Sequence, residues 1–388
     1  MCESLQPIRV LHILRKLGSG GVEKLLVSLM ENMDRKTIAF DFLLTSNEKG
    51  FYDEYVQELG AKLHYLDIGQ HNGKFMQKVA RHVGFYRFMR KGKYSIVHLH
   101  GTQPITYVNA FLAKKAGVEC VILHAHATKS LTRVKTKILP IFKFLFGKYP
   151  SYYIACSQEA ADYMWPNGLE KDKGCVLING IDFGSYAFSE TRRSLFRKEN
   201  NLEGKYVVGH IGRFAETKNH RFLLKVFKRV QEIIPNCVLL MIGEGALKKN
   251  IQEMADAMGI RENVVFFGTT KDIPSALMGM DVFCFPSFFE GLGIVVVEAQ
   301  AASLPVVVSE GVPESANISR FFNKLQLNDP LNVWAEKVAE FNWCEERSEL
   351  SWSMKHAEYD IRTTVEKLTD VYKILLHQKS HKKWENIV

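Results

Sequence analysis

Two glutamates separated by seven residues, Glu290 and Glu298, are the side chains best suited to chemistry in this sequence. They lie in the segment 286–299, P-S-F-F-E-G-L-G-I-V-V-V-E-A. A strand pattern ends at Glu290, and Glu298 lies about one turn into a helix pattern that follows a Gly-x-Gly turn. Two carboxylates at such a mouth can accept hydrogen bonds from sugar hydroxyls, while the amides of Gly293 and Ile294 favour an anion. Surface glutamates are the plainer interpretation, but both residues flank apolar segments typical of a buried core.

Two cations follow another strand pattern in the segment 212–218, G-R-F-A-E-T-K. Arg213 comes directly after the strand, and Lys218 stands where the next helix begins. A guanidinium and an ammonium beside a helix N-terminus suit a diphosphate, which carries two or more negative charges. The structural alternative is one surface arginine and one capping lysine.

A third candidate is the glycine loop Gly18-Ser19-Gly20-Gly21, which follows the first strand pattern and opens a helix. Glycines allow backbone amides to approach a phosphate closely at a helix N-terminus. The spacing differs from G-x-G-x-x-G because Glu23 stands at the third glycine position, and no Walker lysine follows. A dinucleotide fingerprint and a P-loop are therefore excluded, and the remaining interpretations are phosphate proximity or a tight turn.

The elements that must position these residues belong to two domains. The chain has 388 residues, 46% of them hydrophobic and 24% charged, whereas a single core stops growing at roughly 250–300 residues. Short β-branched runs alternate with helical patterns, which is typical of parallel α/β sheets. We predict two doubly wound, Rossmann-like α/β domains, 1–185 and 186–356, with 357–388 crossing back onto the first. Because ligands bind beyond the carboxyl ends of such strands, we expect the domains to face each other across a cleft.

The patterns predict strands and helices with the following bounds. The strands are expected at 8–14, 40–45, 62–66, 96–99, 121–124, 152–155, 175–178, 206–211, 237–242, 263–267, 281–285 and 305–309. The helices are expected at 22–33, 75–90, 106–116, 218–233, 246–258, 272–279, 294–303 and 357–376. A polar passage at 179–203 separates the two halves.

In combination, these motifs resemble the retaining GT-B glycosyltransferases of family GT4, and the capsular and exopolysaccharide members most of all. G-R-F-x-x-x-K followed some 70 residues later by E-x7-E carries the resemblance. Three other segments match the family in their positions along the chain. They are Gly243-Glu244-Gly245, where the family usually has G-D-G, the run 264–268, and Asn179-Gly180-Ile181-Asp182 at the end of the first domain. The match covers essentially the whole chain and is strongest over 205–310.

The resemblance implies a hexosyl- or N-acetylhexosaminyltransferase that uses a nucleotide-diphosphate sugar. Arg213 and Lys218 would hold the donor diphosphate and stabilise it as it leaves. Glu290 would contact the donor sugar, with a catalytic contribution, and Glu298 the ribose hydroxyls. The amides of the helix start at 293–294 would face the donor.

Further roles follow from the same resemblance. The backbone around Phe267 and Gly268 would meet the base, and Gly20 and Gly21 would close over the phosphates from the other domain. The family often has a histidine at the end of the fifth strand. Within His124-Ala125-His126, the loop position favours His126 as the catalytic residue. Retention of configuration and a UDP-linked donor are expected. Because no Asp-x-Asp occurs in the sequence, we expect no metal to be required for binding the diphosphate.

The basic charge is concentrated in the first domain. Residues 68–158 contain 15 Lys and Arg but one acid, Glu119, in a chain of formal net charge +9. Two segments of this window, 74–94 and 129–148, mix cations with Phe, Ile and Leu, as helices on anionic membranes do. A solvated helix face is the alternative. No nucleic-acid-binding signature is present. We expect an enzyme of the cytoplasm that lies on the inner membrane face and meets a lipid-linked saccharide acceptor. Scattered cysteines and an N-terminus without a signal-peptide pattern favour that location.

Three other functions share some of these features. A nucleotide-sugar epimerase of the same fold would need no acceptor. A non-catalytic sugar-binding protein would not need Arg213 and Lys218 beside paired carboxylates. A membrane-bound scaffold would need no site residues at all. The acceptor requirement separates the epimerase from the transferase.

Overall fold

The computed structural model describes residues 7–66, 73–101, 103–126, 133–165, 168–169, 173–341, 347 and 356–385. The chain forms two compact units. Unit 1 comprises Met1–Ile181 with Glu358–Val388, and unit 2 comprises Asp182–Ala357.

Unit 1 is built on a parallel sheet. Its strands in the described residues are β1 Ile8–Leu14, β2 Ile38–Leu44, β3 Leu63–Tyr65, β4 Ile96–His100, β5 Cys120–Ala125, β6 Tyr152–Ala155 and β7 Gly174–Val176. Their order is β3-β2-β1-β4-β5-β6-β7, so the order reverses between β1 and β4. Such a reversal opens a crevice at the carboxyl ends of the two strands, where α/β proteins bind their ligands.

Helices cover both faces of this sheet. They are α1 Gly21–Asn32, α2 Asp53–Glu58, α3 Lys74–Lys91, α4 Pro104–Lys115, α5 Arg133–Phe146, α6 Gln158–Met164 and, near the chain end, α15 Ile361–Glu385. α1 and α15 pack together on one face, and α3, α4 and α5 lie side by side on the other. α15 is held in unit 1 by buried Leu368 and Tyr372 and by the Thr364 hydroxyl, which donates to the Ile178 carbonyl at 3.0 Å.

Unit 2 repeats the architecture with β8 Tyr206–Ile211, β9 Cys237–Ile242, β10 Val264–Gly268, β11 Val282–Phe285, β12 Val306–Ser309 and β13 Phe322–Leu325. All pairs are parallel, and the order is β10-β9-β8-β11-β12-β13. The order reverses between β8 and β11. Most strand residues are apolar, as expected where helices cover both faces of a parallel sheet, whereas β8 contains His210 and the edge strand β13 contains Asn323 and Lys324.

The helices of the rest of the chain are α7 Phe183–Tyr186, α8 Glu190–Glu199, α9 His220–Ile233, α10 Lys248–Ala257, α11 Ile273–Gly279, α12 Ile294–Ala301, α13 Leu331–Ala339 and α14 His356–Tyr359. α9 illustrates why they form. It buries Leu223, Leu224, Phe227 and Val230 along one stripe, the spacing of an amphipathic helix.

The prediction of two doubly wound α/β domains is confirmed, and most strand bounds agree to within two residues. Some described elements differ from the sequence patterns. Among them, α2, β13 and α13 were not predicted; α2 has six residues and β13 has four. The polar passage at 179–203 contains α7 and α8. α8 packs on α11, and its Arg193 and Arg197 pair with Asp281, contacts that a local polarity pattern does not reveal.

Candidate active site

The loop after β8 carries both predicted cations and is held in place through its backbone. The Gly212 amide donates to the Ile242 carbonyl at 2.9 Å, and the Phe214 amide donates to the Glu244 carbonyl at 3.0 Å. The loop ends in one turn of 3-10 helix, Glu216–Lys218, after which Asn219 adopts a left-handed conformation with φ of 52° and α9 begins. Lys218 therefore stands at the start of α9, as predicted. Arg213 is exposed, and no described residue accepts a hydrogen bond from its side chain.

The structure brings Lys218 together with Glu290, which lies 72 positions away in the chain. Lys218 Nζ is 2.6 Å from Glu290 Oε1, and the two side chains are only 19% and 12% exposed. The ammonium also lies 4.5 Å from the ring centroid of Phe285, the last residue of β11, a distance suited to cation–π attraction. The loop after β11 is fixed by the Glu290 amide, which donates to the Gly311 carbonyl at 2.9 Å. This pair lies where the order of the sheet reverses.

Glu298 occupies the second turn of α12 and is 3% exposed. The helix begins directly after Gly293, whose φ of 73° is left-handed and readily adopted by glycine alone. This turn redirects the chain from the loop that holds Glu290 into the helix that holds Glu298. Gly293 and Ile294 are the N-cap and first residue of α12, as predicted.

Three glycine-bearing loops at the ends of β8, β9 and β10 pack backbone against backbone. A Cβ on Gly243 would lie 2.1 Å from the Gly212 carbonyl oxygen, and one on Gly245 would lie 2.4 Å from the Phe214 carbonyl oxygen. The Gly243 amide donates to the Gly268 carbonyl at 2.6 Å. The structure thus places Phe267 and Gly268, at the end of β10, next to the glycine turn that follows β9.

Two buried histidines, which the sequence patterns did not single out, lie beside Lys218. His210 Nδ1 is 2.9 Å from the Cys284 carbonyl oxygen. Its Nε2 and both ring nitrogens of His220 are buried without a hydrogen-bond partner among the described residues. Burial lowers the pKa of His210 to about 4, an effect that the Lys218 charge reinforces and the Cys284 carbonyl opposes. Burial, His210 and Lys218 lower the pKa of His220 to about 2. Both rings are therefore neutral near pH 7.

In unit 1, the glycine loop lies at the other reversal point, at the carboxyl end of β1. Gly20 is the N-cap of α1, and Gly21 is its first residue. The Glu23 side chain folds back over the loop, because its Oε2 lies 2.5 Å from the position of a Cβ on Gly20. A carboxylate beside the positive end of a helix is favourable. It also means that this helix end already faces a negative charge.

His126 follows β5 directly, in the loop position expected from the sequence, whereas His124 lies within the strand. His126 belongs to a cluster of five histidines, which we call the histidine cluster: His12, His98, His100, His124 and His126. Nδ1 of His100 is 2.9 Å from Nε2 of His126. Burial lowers the pKa of His126 to about 3. Burial and the neighbouring rings lower the pKa of the other four. As placed, His126 is a neutral group with one nitrogen already engaged.

A cavity of about 690 Å³ lies at the opposite edge of the unit 1 sheet, where β1 begins. Its wall includes Arg9 and Asp41, whose side chains form a double hydrogen bond. Burial alone would raise the pKa of Asp41, but hydrogen bonds from Arg9, the Lys62 amide and Tyr94 lower it. None of the predicted site residues lines this cavity.

Comparison with known proteins identifies the family of this chain. Residues 19–184 match the model described as Glycosyltransferase Family 4, and residues 191–337 match the model described as Glycosyl transferases group 1. The chain is 31% identical over 375 residues to EpsF of Bacillus subtilis strain 168, a protein named as a glycosyltransferase, covering 94% of this chain and 96% of EpsF. The chain belongs to the family 4 glycosyltransferases.

Two further similarities support this assignment. The glycosyltransferase is 25% identical to an Escherichia coli enzyme named UDP-Gal:alpha-D-GlcNAc-diphosphoundecaprenol alpha-1,3-galactosyltransferase, over 83% of this chain and 85% of that protein. Its fold matches a crystal structure of Anabaena HepE in complex with UDP and glucose with a TM-score of 0.77 and 17% identity, covering 94% of this chain and 99% of that chain. The GT-B fold class and the transferase activity predicted from the sequence are confirmed. Among the described helices, none has both the length and the apolar character needed to span a membrane.

Proposed function

We propose that this glycosyltransferase transfers a sugar, with retention of configuration, from a UDP-sugar to a lipid-linked saccharide in the assembly of a capsule or exopolysaccharide. The observation that carries the proposal is the meeting of Lys218 and Glu290, next to the loop of Arg213, at the reversal point of the unit 2 sheet. A ligand at this point would meet two cations and a carboxylate within one strand-end crevice.

The charges at this point suit the departure of a nucleoside diphosphate. Breaking the sugar–phosphate bond builds positive charge at the anomeric carbon and negative charge on the leaving diphosphate. Arg213, Lys218 and the start of α9 would oppose the negative charge where it develops. Glu290 would accept a hydrogen bond from a hydroxyl group of the donor sugar. The Lys218–Glu290 ion pair would therefore contact both the phosphate and the sugar of the donor.

The other predicted contacts complete the donor site. Glu298 would accept hydrogen bonds from the ribose, while the amides of Gly293 and Ile294 would face the donor. The base would lie against the backbone of Phe267 and Gly268. A uracil nucleotide is favoured because the name of the similar Escherichia coli enzyme specifies a UDP-Gal donor. The same name specifies a diphosphoundecaprenol-linked acceptor, which supports a lipid-linked saccharide here.

In unit 1, Gly20 and Gly21 would approach the donor phosphates, and His126 would contact the sugar. His126 can contact the sugar only if its side chain moves. In the structure described above, Nε2 of His126 is hydrogen-bonded to His100, and Nδ1 of His126 is buried. The diphosphate would be bound by protein cations alone, without a metal.

Titration calorimetry with UDP in the presence of EDTA tests the donor site. Arg213→Ala and Lys218→Ala each remove a charge-assisted hydrogen bond worth about 1.5–3 kcal/mol, so UDP affinity should fall about 10–100-fold. Arg229→Ala is the matched control, because Arg229 is an exposed cation of α9 that pairs with Glu232. Undiminished binding in both test variants, or a requirement for Mg²⁺, would contradict the proposed donor site.

A radiolabelled UDP-sugar assay tests the reaction. Transfer of label to an undecaprenyl-diphosphate saccharide is expected, with the configuration of the new bond determined by NMR. Formation of an isomerised UDP-sugar without any acceptor would instead identify an epimerase. Tight UDP-sugar binding with neither product would identify a sugar-binding protein.

A surface of exposed apolar and basic side chains on α3 and α5 supports the proposal of a lipid-linked acceptor. Both helices expose apolar side chains in helical stripes next to exposed cations. The exposed apolar residues are Phe75, Met76, Val79 and Val83 on α3, and Ile141, Phe144 and Leu145 on α5. Exposed cations on the same helices include Lys78, Arg81, Arg87 and Lys137. Phe75 and Phe144 are 75% and 87% exposed, which is unusual for phenylalanine in a surface helix. We propose that this surface rests on the inner face of an anionic membrane.

Sedimentation with vesicles of phosphatidylcholine, with and without phosphatidylglycerol, tests this surface. Phe75→Ser/Phe144→Ser should reduce binding to both vesicle types, and Lys78→Glu/Lys137→Glu should reduce binding to the anionic vesicles at low salt. Lys225→Glu, an exposed lysine of unit 2, is the charge control. Unchanged sedimentation of both double variants would remove the membrane proposal and leave the donor site unaffected.

A further inference from the structure

The histidine cluster occupies one face of three neighbouring strands, β1, β4 and β5. His12 pairs with His98 in the register of β1 and β4, and His100 pairs with His124 in the register of β4 and β5. Side chains two residues apart on a strand point to the same face, which places His126 beside His124. Five imidazoles thus share one side of the sheet, and His12, His98 and His124 are at most 1% exposed.

The rings form two hydrogen-bonded rows. In the first row, Nδ1 of His12 is 2.9 Å from Nε2 of His100, and Nδ1 of His100 is 2.9 Å from Nε2 of His126. In the second row, the Tyr372 hydroxyl is 2.8 Å from Nδ1 of His98, whose Nε2 is 3.2 Å from Nδ1 of His124. The rows stack on each other, with 4.5 Å between the ring centroids of His98 and His100.

Three ring nitrogens of this cluster are buried without a partner in the described part of the chain: His12 Nε2, His124 Nε2 and His126 Nδ1. A buried polar atom left unpaired costs about 1–3 kcal/mol, so three in one cluster indicate a missing partner. Two of the three belong to neighbouring rings at the carboxyl end of β5, and the third ring at that end is His100. His100 and His126 are partly exposed, which gives an ion a route to this end.

We propose that His100, His124 and His126 form a binding site for Zn²⁺ or a similar first-row divalent cation. Each of these rings offers a nitrogen within 4.8 Å of the other two. Imidazole nitrogen is a preferred ligand of Zn²⁺, Ni²⁺, Co²⁺ and Cu²⁺, and three histidines leave a fourth coordination position open. Arg213 and Lys218 of unit 2 would still bind the donor diphosphate without a metal.

The remaining members of the cluster are placed as outer-shell partners. A metal-bound histidine usually donates its second ring N–H to a neighbouring group, which fixes the ring. Here the second nitrogen of His100 faces His12, and that of His124 faces His98, which in turn contacts Tyr372. Metal binding therefore preserves every hydrogen bond of the two rows except the hydrogen bond between His100 and His126. It also requires the rings of His124 and His126, which are tilted against each other with centroids 3.9 Å apart, to turn toward a common point.

Cobalt titration of the full, untagged chain after EDTA treatment and desalting tests the site. Co²⁺ held by three imidazoles in a tetrahedral geometry gives visible absorption bands, and added Zn²⁺ should abolish them at one equivalent. His126→Ala should weaken Co²⁺ binding at least about 100-fold, and His12→Gln, which alters an outer-shell partner, about 10–100-fold. His377→Ala, an exposed histidine of α15, should bind like the parent chain.

Several results would overturn the proposal. Absence of the absorption bands at millimolar Co²⁺ would mean that the rows are completed by water or other polar groups. Equal binding by the parent chain and His126→Ala would mean that the cation binds elsewhere. Since His124→Ala leaves a cavity in the core, His100→Gln provides a second test at a partly exposed position. Circular dichroism of each variant distinguishes lost binding from lost folding. Retained binding in a folded His100→Gln/His126→Ala variant would also refute the site.

Discussion

The two buried histidines beside Lys218 make the stability of unit 2 depend on pH in a calculable way. The pKa of His210 is lowered to about 4 and that of His220 to about 2, whereas free imidazole has a pKa of about 6.5. Between pH 7 and pH 5, the unfolded chain therefore binds more protons at these residues than the folded chain does. Stability must fall as the pH falls through this window.

The size of the effect follows from proton linkage. An imidazole that ionises only after unfolding lowers the free energy of unfolding by about 2 kcal/mol between pH 7 and pH 5. Both histidines are at most 2% exposed, so solvent does not screen the effect, and together they contribute about 4 kcal/mol. Replacing His220 with leucine removes one of these two contributions and two unpaired ring nitrogens. The decrease in the free energy of unfolding between pH 7 and pH 5 should therefore be about 2 kcal/mol smaller in the variant than in the parent chain, whatever the variant's stability at pH 7.

Oxidation of buried methionines by peroxide at increasing urea concentration measures unit 2 separately. Met241, in β9, is completely buried and becomes reactive when unit 2 unfolds, while Met30 in α1 reports on unit 1. Mass spectrometry then gives a urea midpoint for each unit at pH 7, pH 6 and pH 5. His377→Leu is the control, because His377 lies in unit 1 and its replacement should leave the pH dependence of the Met241 midpoint unchanged. An unaltered pH dependence of the Met241 midpoint in His220→Leu would refute the argument that a neutral, buried His220 couples to folding.

Three further outcomes are expected. In Gly243→Ala, the new Cβ would lie 2.1 Å from the Gly212 carbonyl oxygen, at a backbone φ of 148°. The free energy of unfolding of unit 2, measured by the same oxidation assay, should therefore fall by about 2–4 kcal/mol. Unchanged stability would show that the loop can shift to accommodate the methyl group. Asp41→Asn removes the charge that pairs with Arg9 and should lower the free energy of unfolding of unit 1 by about 2–4 kcal/mol. Arg9→Met/Asp41→Leu should recover part of that loss, as measured by the urea midpoint of Met30 oxidation. Lys218→Met leaves the mostly buried Glu290 without its cation, so it should lower both UDP affinity and the unit 2 midpoint. Lys218→Met/Glu290→Gln should restore the midpoint but not the affinity, and recovery of both would argue against a donor contact by Lys218.

The fold was largely predictable because its determinants are local. Each strand of a covered parallel sheet is a short apolar run, and each helix shows its own periodicity, so both can be recognised from a few neighbouring residues. The loops after β8 and β11 were recognised for the same reason, since G-R-F-x-x-x-K and E-x7-E are contiguous motifs. α8 escaped recognition because its stabilising contacts, Arg193 and Arg197 with Asp281, come from a distant part of the chain.

The sequence by itself determined the two α/β domains, the family and the identity of the candidate site residues, because motif chemistry and hydrophobic periodicity are written in contiguous residues. Only the tertiary structure decided which of these residues meet. Lys218 reaches Glu290 because β8 and β11 are neighbours in the sheet. Five histidines from three segments become one cluster because β4 lies between β1 and β5. Strand order depends on the packing of the whole domain, and no local pattern specifies it.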